Sequence, residues 1–182
     1  AHPPADAAGA FRGIMDAMAR PGTIQTIAGA TPPAPLSPSA GTALLTLCDS
    51  ETPVYLAGEA DCDAVRAWLA FHIGAPLCGP SHCLFACGPW DALLPLSAYP
   101  RGTSEYPDRS ATLIVEMPTL EATGVTLTGP GIRTEAQLSL PETAAFQDNA
   151  AHFPMGLDFF FTHGNRIAGL PRSTRIAPGG DC

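Results

Sequence analysis

The stretch Leu157-Asp158-Phe159-Phe160-Phe161-Thr162-His163-Gly164-Asn165-Arg166-Ile167-Ala168-Gly169-Leu170 reads as a β-hairpin. Leu157 to Phe161 is rich in aromatic side chains that favour a strand. Gly164-Asn165 supplies a hairpin-type turn, and Arg166 to Leu170 returns as the partner strand. Ser173 to Ile176 is expected to extend that return past Pro171. Upstream of the hairpin, helical and extended patterns alternate. Asp6 is positioned to cap a helix running to about Ala19, with Phe11, Ile14, Met15 and Met18 as its apolar stripe. Arg20-Pro21-Gly22 stops it, and Thr23 to Ile27 follows as a short strand.

The middle of the chain continues the alternation. Residues 29–40, rich in Pro, Ala, Thr and Ser, read as a loop. Thr42 to Leu47 is apolar enough for a buried helix, and Pro53 to Leu56 reads as a strand. Asp61 opens a helix whose face carries Val65, Trp68, Leu69, His72 and Ile73, and Gly74 ends it. Strands follow at Cys83–Cys87, Ala111–Met117 and Val125–Leu127. Val125–Leu127 leads into Gly129-Pro130-Gly131-Ile132. A last helix is expected from Pro141 to His152. Such interleaving predicts an α/β fold with one mixed sheet flanked by helices, in a single domain spanning residues 1–182.

Charge narrows the function. The 182 residues carry 17 acids against nine bases, a net charge of −8. An acidic surface repels a phosphate backbone at long range, so no nucleic-acid partner is expected. All nine bases are arginine. Without lysine the chain can form neither a pyridoxal phosphate Schiff base nor the lysine contact of a P-loop. Neither a membrane-spanning apolar run nor a basic-then-apolar leader is visible, so a cytoplasmic protein is expected.

No catalytic constellation emerges, and the five histidines are scattered. Six cysteines stand at positions 48, 62, 78, 83, 87 and 182. Cys83, Phe85 and Cys87 are expected on one face of a strand, as core thiols. A zinc site from Cys78, Cys83, Cys87 and His82 has the wrong spacing for paired knuckles. No metal and no cofactor is therefore assigned. Two places favour an anion. In Gly129-Pro130-Gly131-Ile132-Arg133 the turn offers backbone N–H groups and Arg133 a clamp, although Pro130 removes one donor. The alternative is a plain tight turn. In Pro171-Arg172-Ser173-Thr174-Arg175, Arg172 and Arg175 concentrate positive charge. They suit a phosphorylated ligand or an acidic partner surface, or else the solvated side of an edge strand. Alternate residues of a strand face opposite ways, so one arginine can anchor the fold while the other faces outward.

Four stretches in order resemble the PhnH family, whose members are subunits of the bacterial carbon–phosphorus lyase core complex. These are Phe11-Arg12 through Met15, Ala17-Met18-Ala19-Arg20-Pro21-Gly22; Ser110-Ala111-Thr112-Leu113-Ile114; Leu127-Thr128-Gly129-Pro130-Gly131-Ile132; and Pro154-Met155-Gly156-Leu157-Asp158 through Leu170-Pro171-Arg172-Ser173-Thr174. Ser173 stands where that family's pattern suggests Thr, which keeps the hydroxyl. The resemblance implies a reduced pyridoxal phosphate-dependent transferase fold without the cofactor site. It implies a homodimer in isolation and, in the cell, a core complex with subunits G, I and J. That assembly forms ribose 1-alkylphosphonate 5-triphosphate from ATP and alkylphosphonate. Its nucleosidase-type and radical chemistries belong to subunits I and J, and no catalytic residue is implied for the PhnH protein itself. The chain is therefore expected to be a structural subunit. The alternatives are a subunit holding a phosphonate or nucleotide through Arg133 or Arg172, and an independent thiol enzyme. A homodimer is expected to hide apolar surface, with Phe159 or Phe161 as candidates.

The lysine count yields a direct test. Borohydride treatment of the chain in the presence of pyridoxal phosphate is expected to leave no pyridoxyl adduct on any side chain, checked by peptide mass spectrometry.

Overall fold

A computed structural model describes residues 3–177; Ala1, His2 and the tail from Pro178 to Cys182 lie outside the described residues. Among the described residues there are five α-helices: α1 Pro3–Ala19, α2 Pro38–Leu47, α3 Asp63–His72, α4 Trp90–Leu93 and α5 Ala144–Ala151. Nine strands accompany them: β1 Ile24–Thr26, β2 Val54–Leu56, β3 Phe85–Pro89, β4 Thr112–Glu116, β5 Val125–Thr128, β6 Ala136–Leu138, β7 Asp158–His163, β8 Arg166–Leu170 and β9 Arg175–Ile176. The main sheet has the order β1-β8-β7-β4-β3-β2. Strands β2, β3, β4 and β7 run parallel, and β8 and β1 add antiparallel at one edge. The result is an α/β fold with a mixed sheet between helices. No helix among the described residues is long and apolar enough to cross a membrane.

The triple phenylalanine of β7 is explained by cover on both faces. Side chains alternate along a strand. Phe159 and Phe161 therefore join one core with Leu113, Val115, Ala168 and Leu170, closed by Trp90 of α4 and Phe146 of α5. Phe160 joins the opposite core with Ile114, Cys87 and Ile167, closed by Ile14 of α1, Leu44 of α2 and Val65 and Leu69 of α3. Phe146 meets Phe159 and Phe161 edge-on, with ring centroids 4.9 and 5.6 Å apart. That geometry suits the quadrupoles of aromatic rings. Both Phe159 and Phe161 are fully buried. They therefore cannot supply a dimer surface; the expectation treated one buried sheet face as exposed.

Several boundaries differ from the sequence expectation, each for a local reason. α1 begins at Pro3, which places Asp6 inside the helix rather than at its cap. Its buried face is Ala10, Ile14 and Ala17, while Phe11 and Met15 are each 50% exposed. The helix must lie close to the sheet, and small residues permit that approach. A Cβ on Gly169 of β8 would sit 2.7 Å from the Ala17 carbonyl oxygen. α2 begins four residues earlier than expected, because Ser37 caps it by accepting from the Ala40 N–H and Pro38 fits its first turn. α3 begins at Asp63. Asp61 instead forms a two-point pair with Arg66, at 2.6 and 2.8 Å. His72 is exposed although the apolar stripe included it.

α5 is shorter than Pro141 to His152 at both ends. It is tied to the start of β7 by Asn149, whose side chain donates to the Leu157 carbonyl at 2.9 Å and accepts its N–H at 2.8 Å. Cys83 precedes β3, where its thiol donates to the Pro80 carbonyl. It lies in the opposite core from Cys87 rather than on a shared face.

The largest correction concerns the second sheet. Val125–Thr128 leaves the main sheet and pairs with β6, which the sequence reading missed, and with β9. Ser173 to Ile176 therefore does not prolong β8. After Pro171 the chain turns, with the Thr174 N–H bonded to the Pro171 carbonyl, and only Arg175–Ile176 is extended. This small sheet covers the aromatic core through Leu127, Leu138 and Ile176.

Gly169→Ala is expected to destabilise the chain by about 1–3 kcal/mol through overpacking against α1. Gly79→Ala, with open space around it, is expected to cost far less. Urea denaturation of the two variants checks the contrast.

Candidate functional site

A cavity of about 540 Å³ opens where three chain segments meet. Gly129 and Pro130 come from the turn after β5, Ala150, Ala151 and Phe153 from the end of α5, and Arg172, Ser173 and Arg175 from the segment that leads into β9. The sequence candidates Arg172 and Arg175 thus share one cavity with the Gly129-Pro130 turn. Arg133 is exposed and does not line it. Among the described residues the lining includes two guanidiniums and no carboxylate.

The two arginines have different surroundings. Arg172 is fastened. Its Nε and Nη2 donate to the two Asp158 carboxylate oxygens at 3.1 and 2.5 Å, and its backbone N–H donates to Oδ1 at 2.8 Å. Nη1 donates to the Pro107 carbonyl at 2.6 Å, and Nη2 also reaches Ser110 Oγ. Only 14% of its side chain and 24% of the Asp158 side chain are exposed. The hairpin brings this about: Phe159 pairs with Leu170, so Asp158 and the residues after Leu170 are neighbours. Bidentate pairing of this kind is strong and directional. Arg172 therefore locks the hairpin end to the 101–110 loop. Arg175, by contrast, is exposed and pairs with no carboxylate among the described residues.

Two further groups that the sequence reading missed lie at this end of the molecule. Arg101 directs Nη1 to His152 Nε2 at 3.3 Å. The other ring nitrogen of His152, Nδ1, lies 2.7 Å from the Asp148 carbonyl. A carbonyl can only accept, so the Nδ1–H donates and Nε2 is left as the acceptor that Arg101 needs. Arg101 has no carboxylate partner among the described residues. Arg101 Nε and Thr174 Oγ1 are buried without hydrogen-bond partners among the described residues. Buried orphans of this kind mark places where water, an ion or a ligand completes the bonding. Thr174 lies between two residues that line the cavity, and His152 lies between two others. No local sequence signal distinguishes Arg101, because its role depends on a helix end 51 positions away.

The glycine turn is first of all structural. A Cβ on Gly131, with φ +83°, would collide with the Ala19 carbonyl oxygen, and one on Gly129 would fall 3.1 Å from the Ser173 carbonyl oxygen. The turn is wedged between the end of α1 and the Arg172–Arg175 segment. Only glycine tolerates both the backbone angle and the contact at Gly131.

The thiols show the reverse of activation. Burial pushes Cys48 and Cys83 up to about 12, and Cys87 well above its ordinary value. Burial raises Cys78 as well. A nucleophilic cysteine needs its pKa lowered by positive surroundings. Among the described residues no group of three or more His, Cys, Asp or Glu side chains could hold a metal ion. Cys182 lies outside the described residues.

Comparison with known proteins gives two relatives and a family. Residues 1–177 match the family model described as bacterial phosphonate metabolism protein, PhnH. A protein of Rhizobium meliloti named alpha-D-ribose 1-methylphosphonate 5-triphosphate synthase subunit PhnH is 39% identical over 191 residues, covering 97% of this chain and 92% of its own. A candidate C–P lyase subunit of Stutzerimonas stutzeri, HtxG, is 36% identical over 88 residues, covering 44% of this chain and 45% of its own.

Arg172→Ala is expected to lower unfolding free energy by about 3 kcal/mol, because it leaves the Asp158 carboxylate without its counter-charge and the Pro107 carbonyl and Ser110 hydroxyl without their guanidinium donor in a largely buried place. Arg175→Ala is expected to change it by less than about 0.5 kcal/mol. Thermal or urea denaturation of both variants separates the two roles.

Proposed function

This chain belongs to the PhnH family of bacterial phosphonate metabolism proteins, and from that membership we propose that it works as one subunit of a carbon–phosphorus lyase core complex. The carrying observation is the family match over residues 1–177, joined to a 39% identical relative named as a subunit of ribose 1-methylphosphonate 5-triphosphate synthase. In this reading the partners are the G, I and J subunits, the compartment is the cytoplasm, and the assembly forms ribose 1-alkylphosphonate 5-triphosphate from ATP and alkylphosphonate. The chain's own contribution is structural. Cys48, Cys83 and Cys87 are buried, and the most elaborate polar network, around Arg172, ties loops together.

The scaffold is read as a reduced pyridoxal phosphate-dependent transferase fold. The mixed sheet with four adjacent parallel strands supports this, and the missing lysine removes the cofactor linkage. A homodimer in isolation must then use apolar surface other than Phe159 and Phe161. Phe11, Phe71 and Phe153 are exposed at 50, 84 and 60%.

A second reading has its own support. The cavity beside Arg175 and Arg172, with no carboxylate in its lining and two unsatisfied polar atoms nearby among the described residues, suits an anionic group. That group would be a phosphonate or nucleotide, or an acidic side chain of a partner. Arg133, outside this cavity, is proposed only as a secondary contact.

Co-expression with the G, I and J subunits, followed by affinity capture of this chain, is expected to recover all of them together. Recovery of the chain alone would refute the subunit reading. Arg175→Ala is expected to weaken assembly or phosphonate-dependent growth while the melting temperature stays unchanged.

A further inference from the structure

A second cavity, of about 400 Å³, lies outside the carboxyl ends of the parallel strands. In open α/β sheets this is the edge where ligands gather. Pairing sets Pro89, the last residue of β3, beside Glu116, the last of β4, and Glu116 beside Thr162 of β7. Glu116 and His163 line the cavity, as do Ser37 before α2 and Glu59 after β2. Leu36 and Met117 provide apolar wall. Among the described residues no arginine lines it, so its polarity is opposite to that of the cavity beside Arg175.

The hydrogen bonding leaves acceptors in excess. Glu116 Oε1 accepts the Ser37 N–H at 2.6 Å, which holds the carboxyl against the start of α2. Oε2 has only the Thr162 hydroxyl among the described residues, at 3.2 Å. That hydroxyl lies equally close to the Val115 carbonyl, at 3.1 Å. One hydroxyl proton cannot serve both acceptors fully, so Oε2 wants another donor. His163 Nδ1 lies 2.9 Å from the Met117 carbonyl. Its proton therefore points at that carbonyl, and in the neutral imidazole Nε2 is the acceptor. A purely structural Glu116, present to seat α2, accounts for Oε1 but leaves Oε2 and the cavity unexplained. Burial raises the Glu116 pKa, while the Ser37 and Thr162 hydrogen bonds act against that rise. A carboxylate so placed gains from a positive neighbour.

We propose that this cleft binds a small organic cation, an alkylguanidinium or alkylammonium head group with a short apolar stem. The head donates to Glu116 Oε2 and His163 Nε2, Glu59 adds attraction at the rim, and the stem lies along Leu36 and Met117. The site is independent of the family reading. It would stand in an isolated chain even if assembly with other subunits failed.

The test is an NMR titration of the ¹⁵N-labelled full-length chain with methylguanidinium chloride at constant ionic strength. Methylurea, the neutral isostere, is the matched control. The expected result is a saturable shift concentrated at Ser37, Glu116, Met117, His163 and Gly164, with methylurea weaker by about tenfold or more. Glu116→Gln is expected to weaken methylguanidinium by a similar factor, since it keeps an oxygen for the Ser37 N–H and loses the charge. If that variant disturbs α2, Glu59→Gln gives the second reading, with an expected weakening of about two- to threefold, and an unchanged affinity there would overturn the proposal. Shifts that never saturate and spread over the acidic surface would overturn the proposal. So would equal binding of methylurea, or an affinity left unchanged by Glu116→Gln in a folded protein.

Discussion

Phe159, Phe160 and Phe161 occupy the middle of the main sheet, and an aromatic side chain there must be shielded from water on whichever face it points to. Each such burial is worth roughly 1.5–3 kcal/mol. Three consecutive rings demand two separate covers. α1, α2 and α3 provide one, over Phe160. α4, α5 and the small sheet provide the other, over Phe159 and Phe161. The same demand accounts for the otherwise irregular stretch between β4 and β7. That segment contains β5, β6 and α5, and it returns Leu127, Leu138 and Phe146 to the aromatic face.

Covering the second face has a consequence for polar groups. β9 must leave the hairpin to join β5, so the chain turns sharply after Leu170. Arg172 secures that turn to Asp158, Pro107 and Ser110. Arg175 is carried to the edge of the small sheet and stays exposed. One run of sequence is thus divided between a structural cation and a solvent-facing one. The division follows from the departure of the chain from β8, not from anything special to either arginine.

The two cavities also follow from the architecture. One lies where the small sheet, the end of α5 and the Arg172–Arg175 turn meet, and its charge is positive. The other lies at the carboxyl ends of β3, β4 and β7, and its charge is negative. Their opposite polarity follows from the arginines that line one and the carboxylates that line the other. A chain of net charge −8 therefore keeps a local cationic pocket through the placement of a few arginines, not through composition.

Much of the organisation was legible along the chain. The hairpin at Gly164-Asn165, the helix after Asp61 and the body of β4 are local matters of turn chemistry, side-chain period and β-branching. The four ordered stretches that resemble PhnH were legible for the same reason, since they are contiguous residues. The absence of lysine, which removes Schiff-base chemistry, needed no structure at all. Other features were decided only in three dimensions. The stripe of α1 rotated from Phe11 and Met15 toward Ala10 and Ala17, because the helix had to approach Gly169. β6 and β9 are too short to announce themselves and exist through pairing with β5. Arg101 with His152, and Glu116 with Ser37, are joined across 51 and 79 positions. Local patterns determine which elements can form. Which faces are covered, and which polar groups are left without partners, depends on contacts between residues remote in sequence, and these become definite only when the sheets close over their core.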